Sequence, residues 1–300
     1  MGTMNVRFRI TIVFFIVILF ITGCGSSPTH DITKDADGDR IKVYTTFYPL
    51  YDFTKKIAKD RADVSMLVPA GVEPHDYEPS SKQMSEIYSQ QLFIYLGEAM
   101  EPWGAKIADQ LAQKGIATVE LGKGLIKDND PHLWLDPNLA REMAHRIYEA
   151  LSEVDDANAS FYSNNYEELS QKLIELDRFY ADSLKDVTNR SIVTSHAAFG
   201  YMASRYKFNQ ISISGITPFH EPSPKKIAEL IEICKSNDIK YIFFEPLSSP
   251  KIAEALAKEI GAQTLVLDPI GSLTAEQIKS GEDYFSLMRK NLDNLVKAMN

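Results

Sequence analysis

From residue 41 onward, short β-type apolar runs alternate with stretches in which apolar residues return every three or four positions. The β-type runs fall at residues 41–46, 64–68, 92–96 and 117–121, with helical periods near 50–59, 80–89 and 101–113. Asp136-Pro137 reads as an N-cap followed by proline at the first helical position, opening a helix to about residue 153. Alternation of this kind predicts βαβ units and a largely parallel sheet. Between 158 and 187 the pattern changes. Tyr162, Tyr166, Leu169, Leu173, Leu176, Tyr180, Leu184 and Val187 step by three or four, with no proline or glycine among them. This predicts one long amphipathic helix, about 45 Å at 1.5 Å per residue, serving as a rigid connector. Beyond it the alternation resumes, with strands at 191–194, 210–213, 241–244 and 264–267 and helices near 197–206, 224–236, 250–260 and 275–298. Ser223-Pro224, Ser249-Pro250 and the capping box Thr274-Ala275-Glu276-Gln277 mark three of the helix starts. The expected fold class is therefore α/β. Two lobes with mainly parallel sheets, residues 41–157 and 188–300, are joined by the linking helix 158–187.

The first 40 residues follow other rules. Arg7 and Arg9 precede an apolar stretch at 10–21 broken only by Thr11, shorter than the roughly 20 residues a membrane-spanning helix needs. A basic start, a short apolar core and a small-residue exit make residues 1–23 a secretory signal peptide. The exit, Ile21-Thr22-Gly23-Cys24, resembles the lipobox of bacterial lipoproteins. That resemblance implies cleavage before Cys24 and a lipid on its sulfur, with residues 24–40 as a flexible polar tether. The expected location is the outer face of the bacterial cytoplasmic membrane, anchored rather than spanning. Cys234 would then be the only cysteine left, in an apolar helical pattern. It cannot form an internal disulfide, and it reads as core.

Charge narrows the partners. The formal net charge is −9, more negative still once Arg7 and Arg9 leave with the leader, and no Lys/Arg-rich run stands out. Nucleic acid is excluded as the expected partner. The acidic balance is first a solubility device and only weakly a way to gather cations.

In open α/β sheets ligands bind beyond the carboxyl ends of the strands. His75 follows the strand at 64–68, His196 follows 191–194 after one residue, Asp268 follows 264–267 directly, and Glu245 follows 241–244. His132 lies between Pro131 and Pro137 just before a helix. His75 and His132 belong to the first lobe, His196 and Asp268 to the second, so a site using all four lies in the interlobe cleft. Three imidazoles and a carboxylate suit zinc, and imidazole also suits copper, nickel and cobalt. The separations of 57, 64 and 72 residues match no compact metal motif. Taken singly, each histidine reads better as a local hydrogen-bonding group than as a ligand.

Together the segments resemble the metal-specific solute-binding lipoproteins of zinc and manganese ABC importers. Gly71-Val72-Glu73-Pro74-His75-Asp76-Tyr77-Glu78-Pro79-Ser80 is similar to that family's first ligand loop, and Asp130-Pro131-His132-Leu133-Trp134-Leu135-Asp136-Pro137 to its second. Ser195-His196-Ala197-Ala198-Phe199-Gly200-Tyr201 resembles the third and Leu267-Asp268-Pro269 the fourth. Glu221-Pro222-Ser223-Pro224 and Phe244-Glu245-Pro246 also resemble family segments. The resemblance implies a monomeric binding protein that delivers its metal to a membrane permease driven by an ATPase. Manganese members commonly carry glutamate at the third ligand position, where this chain has His196; nitrogen in place of a hard oxygen shifts the expected cargo to Zn2+, with Mn2+ the alternative. Many zinc members insert a long His- and acid-rich loop before the second ligand, whereas here only residues 122–130 precede His132.

The other candidates rank below these. Glu73 and Glu245 are expected behind the histidines, since a ligating imidazole donates its other N–H to a carboxylate or carbonyl. Trp134 and Tyr77 are expected to pack beside the site. His30 sits in the tether, His145 on the helix after Asp136, and His220 near the cleft rim. A secreted metallohydrolase would need an open coordination position and a general base, and no His-Glu-x-x-His segment or nucleophile elbow is present. An adhesive surface has no sequence signature here. Neutral imidazoles are required for ligation, so metal affinity is expected to fall as pH drops through about 6.5.

Overall fold

Among the described residues, eight short strands build two separate four-stranded parallel sheets. The structure, a computed structural model, describes residues 40–218 and 222–300. The leader, Cys24, the tether, His30, His220 and Glu221 lie outside the described residues. The first sheet holds β1 (Ile41–Thr45), β2 (Ala62–Met66), β3 (Leu92–Tyr95) and β4 (Ala117–Glu120) in the order β2-β1-β3-β4. The second holds β5 (Ser191–Thr194), β6 (Asn209–Ser212), β7 (Tyr241–Phe244) and β8 (Gln263–Val266) in the matching order β6-β5-β7-β8. Val43 pairs with both Val64 and Leu92, and Val193 with Ile211 and Ile242. Helices cover both faces of a parallel sheet, so its strands carry apolar runs instead of alternation. Every residue of β3, Leu-Phe-Ile-Tyr, is buried.

The helices are α1 (Tyr48–Ala58), α2 (Ser81–Ile87), α3 (Pro102–Gln113), α4 (Pro137–Val154), α5 (Ala159–Leu184), α6 (Gly200–Tyr206), α7 (Pro224–Ser236), α8 (Lys251–Ile260), α9 (Ala275–Lys279) and α10 (Tyr284–Met299). Among the described residues, no helix is long and apolar enough to cross a membrane. Asp136 caps α4 by accepting from the backbone N–H groups of Asn138 and Leu139, as its place before Pro137 predicts. Two predicted helices differ. The helix expected at 275–298 is broken, because Gly281 takes a left-handed φ of +70° and Asp283 then caps a fresh start at α10. The helix expected from 197 begins at Gly200, because the residues ahead of it form the bend that carries His196.

The linking helix α5 is 26 residues long, about 39 Å. It buries the predicted stripe from Tyr162 to Leu184 except Tyr166, which is half-buried, and touches both lobes through buried polar groups. Asn165 donates to the Ile57 carbonyl of α1, and the Tyr180 hydroxyl donates to the Met288 carbonyl of α10. One apolar core then runs through both lobes, from Val43 and Phe53 to Leu287 and Leu292. At its centre Trp134 packs edge-on against Phe47 at 5.0 Å, and Tyr284 edge-on against Phe53 at 4.9 Å. Polar bonds cross at the same place. The Trp134 indole donates to the Pro269 carbonyl at 2.7 Å, and the Tyr284 hydroxyl to the Trp134 carbonyl at 2.6 Å. A smaller core, with Leu230 and the buried Cys234, fills the second lobe beneath α7 and α8, as expected for that cysteine.

Candidate metal centre

Each histidine is set by a short, stiff segment, directly beyond β5 for His196 and further along the loops after β2 and β4 for His75 and His132. Pro74 starts a 3₁₀ turn, Pro74–Asp76, capped by Glu73, whose side chain accepts from the His75 N–H at 3.5 Å. His132 precedes a second such turn, Leu133–Leu135, and its N–H donates to Asp130 Oδ1 at 3.0 Å. His196 follows β5 after one residue; its N–H donates to Glu245 Oε1 at 3.1 Å, and its carbonyl accepts from Thr194 Oγ1 and Gln210 Nε2. Backbone and ring are thus held together at His132 and His196, whereas at His75 only the backbone is held.

The three rings meet. His132 Nε2 lies 3.1 Å from His75 Nε2 and 3.2 Å from His196 Nε2, and one ligand atom from each ring falls within 4.8 Å of the others. The far nitrogens face carboxylates: His132 Nδ1 is 2.7 Å from Asp130 Oδ1, and His196 Nδ1 is 2.6 Å from Glu245 Oε1. A carboxylate only accepts, so each of these rings carries its proton on Nδ1 and turns a bare lone pair inward. Lone pairs at such distances repel unless a cation sits between them. An ion with Zn–N bonds of about 2.0–2.1 Å would set tetrahedral N···N edges of about 3.3 Å, close to those found. Among the described residues, the other oxygen of the buried Glu245 carboxyl, Oε2, has no hydrogen-bond partner.

Electrostatics favours neutral rings. Burial, then the neighbouring rings, pushes His75 down to about 3, and burial with His196 beside it takes His132 well below its ordinary value. The carboxylates move the other way. Burial raises Glu73 to about 7, and Asp130 and Asp268 to about 6.

The expected residues are not all gathered equally. His75, His132 and His196 come together; Asp268, although buried, lies outside that group. Its Oδ1 accepts from the Ile270 N–H at 2.7 Å and its Oδ2 from Gln277 Nε2 at 2.6 Å. Glu245 stands behind His196 as expected. Glu73 braces the His75 backbone and not its ring. Trp134 packs beside the His132 ring at 5.3 Å. Trp103 donates to the Tyr77 carbonyl in the wall of a cavity of about 500 Å³ that opens on half-buried His75. His145 is on α4 near Glu149 and takes no part. Asp130 was missed: a carboxylate two residues before a ligand histidine was the available signal.

Substitution of these carboxylates should act through ring orientation. Asp130→Asn and Glu245→Gln are each expected to weaken metal affinity about 10–100-fold with the fold retained. An amide can donate to Nδ1, which moves the ring proton to Nε2 and blocks the lone pair. Competition against a chromophoric chelator measures this, and two unchanged affinities would refute the tautomer argument.

Comparison with known proteins agrees with this geometry. The family described as "ZnuA: Zinc-uptake complex component A periplasmic" matches residues 43–298. The high-affinity zinc uptake system protein ZnuA of Bacillus subtilis is 37% identical over 94% of each chain. The zinc-binding lipoprotein AdcA of Streptococcus pneumoniae is 38% identical over 93% of this chain, which spans only 58% of the length of that relative. The crystal structure of the Zn(II)-bound ZnuA-like domain of Streptococcus pneumoniae AdcA superposes with a TM-score of 0.79 at 40% identity, covering 87% of this chain and 99% of that one.

Proposed function

The chain belongs to the ZnuA family of zinc-uptake components, and from that premise we propose that it captures Zn2+ for an ABC importer. The observation that carries this reading is the convergence of three Nε2 atoms, two of them with carboxylates on the opposite ring nitrogen. His75, His132 and His196 would take three corners of a tetrahedron and Asp268 the fourth, closing the shell with protein alone. A closed shell leaves no place for a reactive water, so the protein carries metal and does not turn over a substrate. The cargo then passes to a permease driven by its ATPase. The lipid on Cys24 holds the monomer at the outer face of the membrane. Residues 41–157 and 188–300 act as the two lobes and 158–187 as their connector.

The test is metal analysis of protein purified without added metal, followed by zinc–manganese competition. One zinc per chain that survives excess manganese is expected; manganese displacing zinc at equal concentration would make this a manganese carrier instead.

Acid should weaken binding, by a different route from the one the sequence suggested. His75 stays neutral down to about 3, whereas Glu73 holds a proton to about 7 and Asp130 and Asp268 to about 6. A bound cation favours the ionised carboxylates, so binding expels their protons. Affinity is therefore expected to level off above about pH 8 and to fall as pH drops through 7 to 6. Calorimetry in buffers of different ionisation heat should register proton release at pH 6 and little at pH 8. Equal release at both would refute the assignment to carboxylates.

A further inference from the structure

We propose that Gln277 is a positioning residue that locks the attitude of the Asp268 carboxylate and so favours a four-coordinate cargo over one that takes more oxygen ligands. The inference rests on the reading of Asp268 as the fourth ligand.

Each Asp268 oxygen has its own donor, the Ile270 N–H on Oδ1 and Gln277 Nε2 on Oδ2. Rotation about the Cβ–Cγ bond must break one of these bonds. The backbone cannot follow to compensate, because Asn291 grips it from both sides: Asn291 Oδ1 accepts from the Asp268 N–H at 2.8 Å, and Asn291 Nδ2 donates to the Asp268 carbonyl at 2.7 Å.

The Gln277 amide is also held one way round. Its Oε1 accepts from the Thr274 N–H at 2.7 Å, while Thr274 Oγ1 accepts from the Gln277 N–H at 3.2 Å. This reciprocal pair is the capping box that starts α9. Because the carbonyl end of the amide is used at the helix start, its NH2 end faces Asp268. A local helix signal thereby decides the polarity of the group behind the fourth ligand.

A pinned carboxylate offers an ion one oxygen, whereas a two-oxygen grip requires it to turn. Zinc closes its shell with four ligands. Manganese suits more oxygen ligands in an octahedral arrangement. Pinning Asp268 therefore withholds from manganese the extra oxygen it would use.

The test titrates Zn2+ and Mn2+ into the parent chain, Gln277→Glu, Gln277→Leu and Asp268→Ala, with the visible absorption of bound Co2+ as a geometry reporter. Gln277→Glu keeps the acceptor of the capping box, so the helix start survives, but sets a second carboxylate in place of the donor to Asp268. Gln277→Leu loses both. In the two Gln277 variants the zinc-to-manganese affinity ratio is expected to fall about tenfold, the low end for a group behind a ligand, and the Co2+ absorption to weaken as coordination rises above four. If both metals lose affinity by one factor and the Co2+ absorption is unchanged, Gln277 is only a helix cap and the proposal fails while Asp268 remains a ligand. If Asp268→Ala leaves zinc affinity untouched, the reading of the fourth ligand fails and takes the proposal with it.

Discussion

Replacing His132 by alanine is expected to lower zinc affinity by well over 100-fold, more than the roughly 10–100-fold that loss of a supporting carboxylate costs. The reason is position. His132 stands between the other two rings, at 3.1 Å from one and 3.2 Å from the other, and is itself fully buried. Its loss leaves His75 and His196 without the nitrogen that joins them into one shell. Asp130 would also face the cleft without its imidazole partner. His145→Ala is the matched control. That ring is half-buried on α4 beside Glu149, Tyr148 and Tyr166 and is not one of the clustered histidines, so the variant should bind zinc as the parent does. Competition titrations of both variants, with melting of the metal-free proteins to confirm folding, decide the matter. Equal losses at the two positions would sink the site.

Trp134→Ala should be the most destabilising single change in the core. The side chain is 1% exposed, and truncating such a group costs about 3–5 kcal/mol. For a chain of this size that corresponds to a melting point lower by about 6–20 °C. Metal binding should suffer separately. The Trp134 indole donates to the Pro269 carbonyl, and the Tyr284 hydroxyl donates to the Trp134 carbonyl; this one residue joins the His132 loop to the segment carrying Asp268. Trp134→Phe preserves ring packing against Phe47 but leaves the Pro269 carbonyl unpaired. It should cost about 1–3 kcal/mol and still weaken zinc binding. Calorimetric melting with and without zinc separates the two effects. A Trp134→Phe protein with unaltered affinity would show that the indole bond does not help place Asp268.

Much of the architecture is legible because the signals are local. Apolar runs such as Leu92–Tyr95 and the three-or-four spacing from Tyr162 to Leu184 record which faces are buried, and the strand order repeats in each sheet. Asp136-Pro137 and the Thr274–Gln277 box each start a helix where they stand. The break at Gly281 was overridden by an apolar period that continues on both sides of it, and only the left-handed φ marks it.

What the sequence by itself determined is the class of fold, the strand ends at which chemistry sits, and the residue types offered there. Ligand types and loop motifs in one collinear order are one-dimensional facts, enough to identify a metal-binding importer component. Tertiary structure alone decided which groups meet. Residues 57 and 64 positions apart converge because one core, centred on Trp134 and Tyr284, presses the lobes together. Burial then pushes the pKa of the His75 ring down and that of the Glu73 carboxyl up, since a low-dielectric site disfavours charge on either. Asp130 behind His132 and Gln277 behind Asp268 are contacts of the folded chain. The two-residue spacing of Asp130 from His132 hints at the first, but nothing along the chain announces the second, because hydrogen-bond partners are chosen by proximity in space.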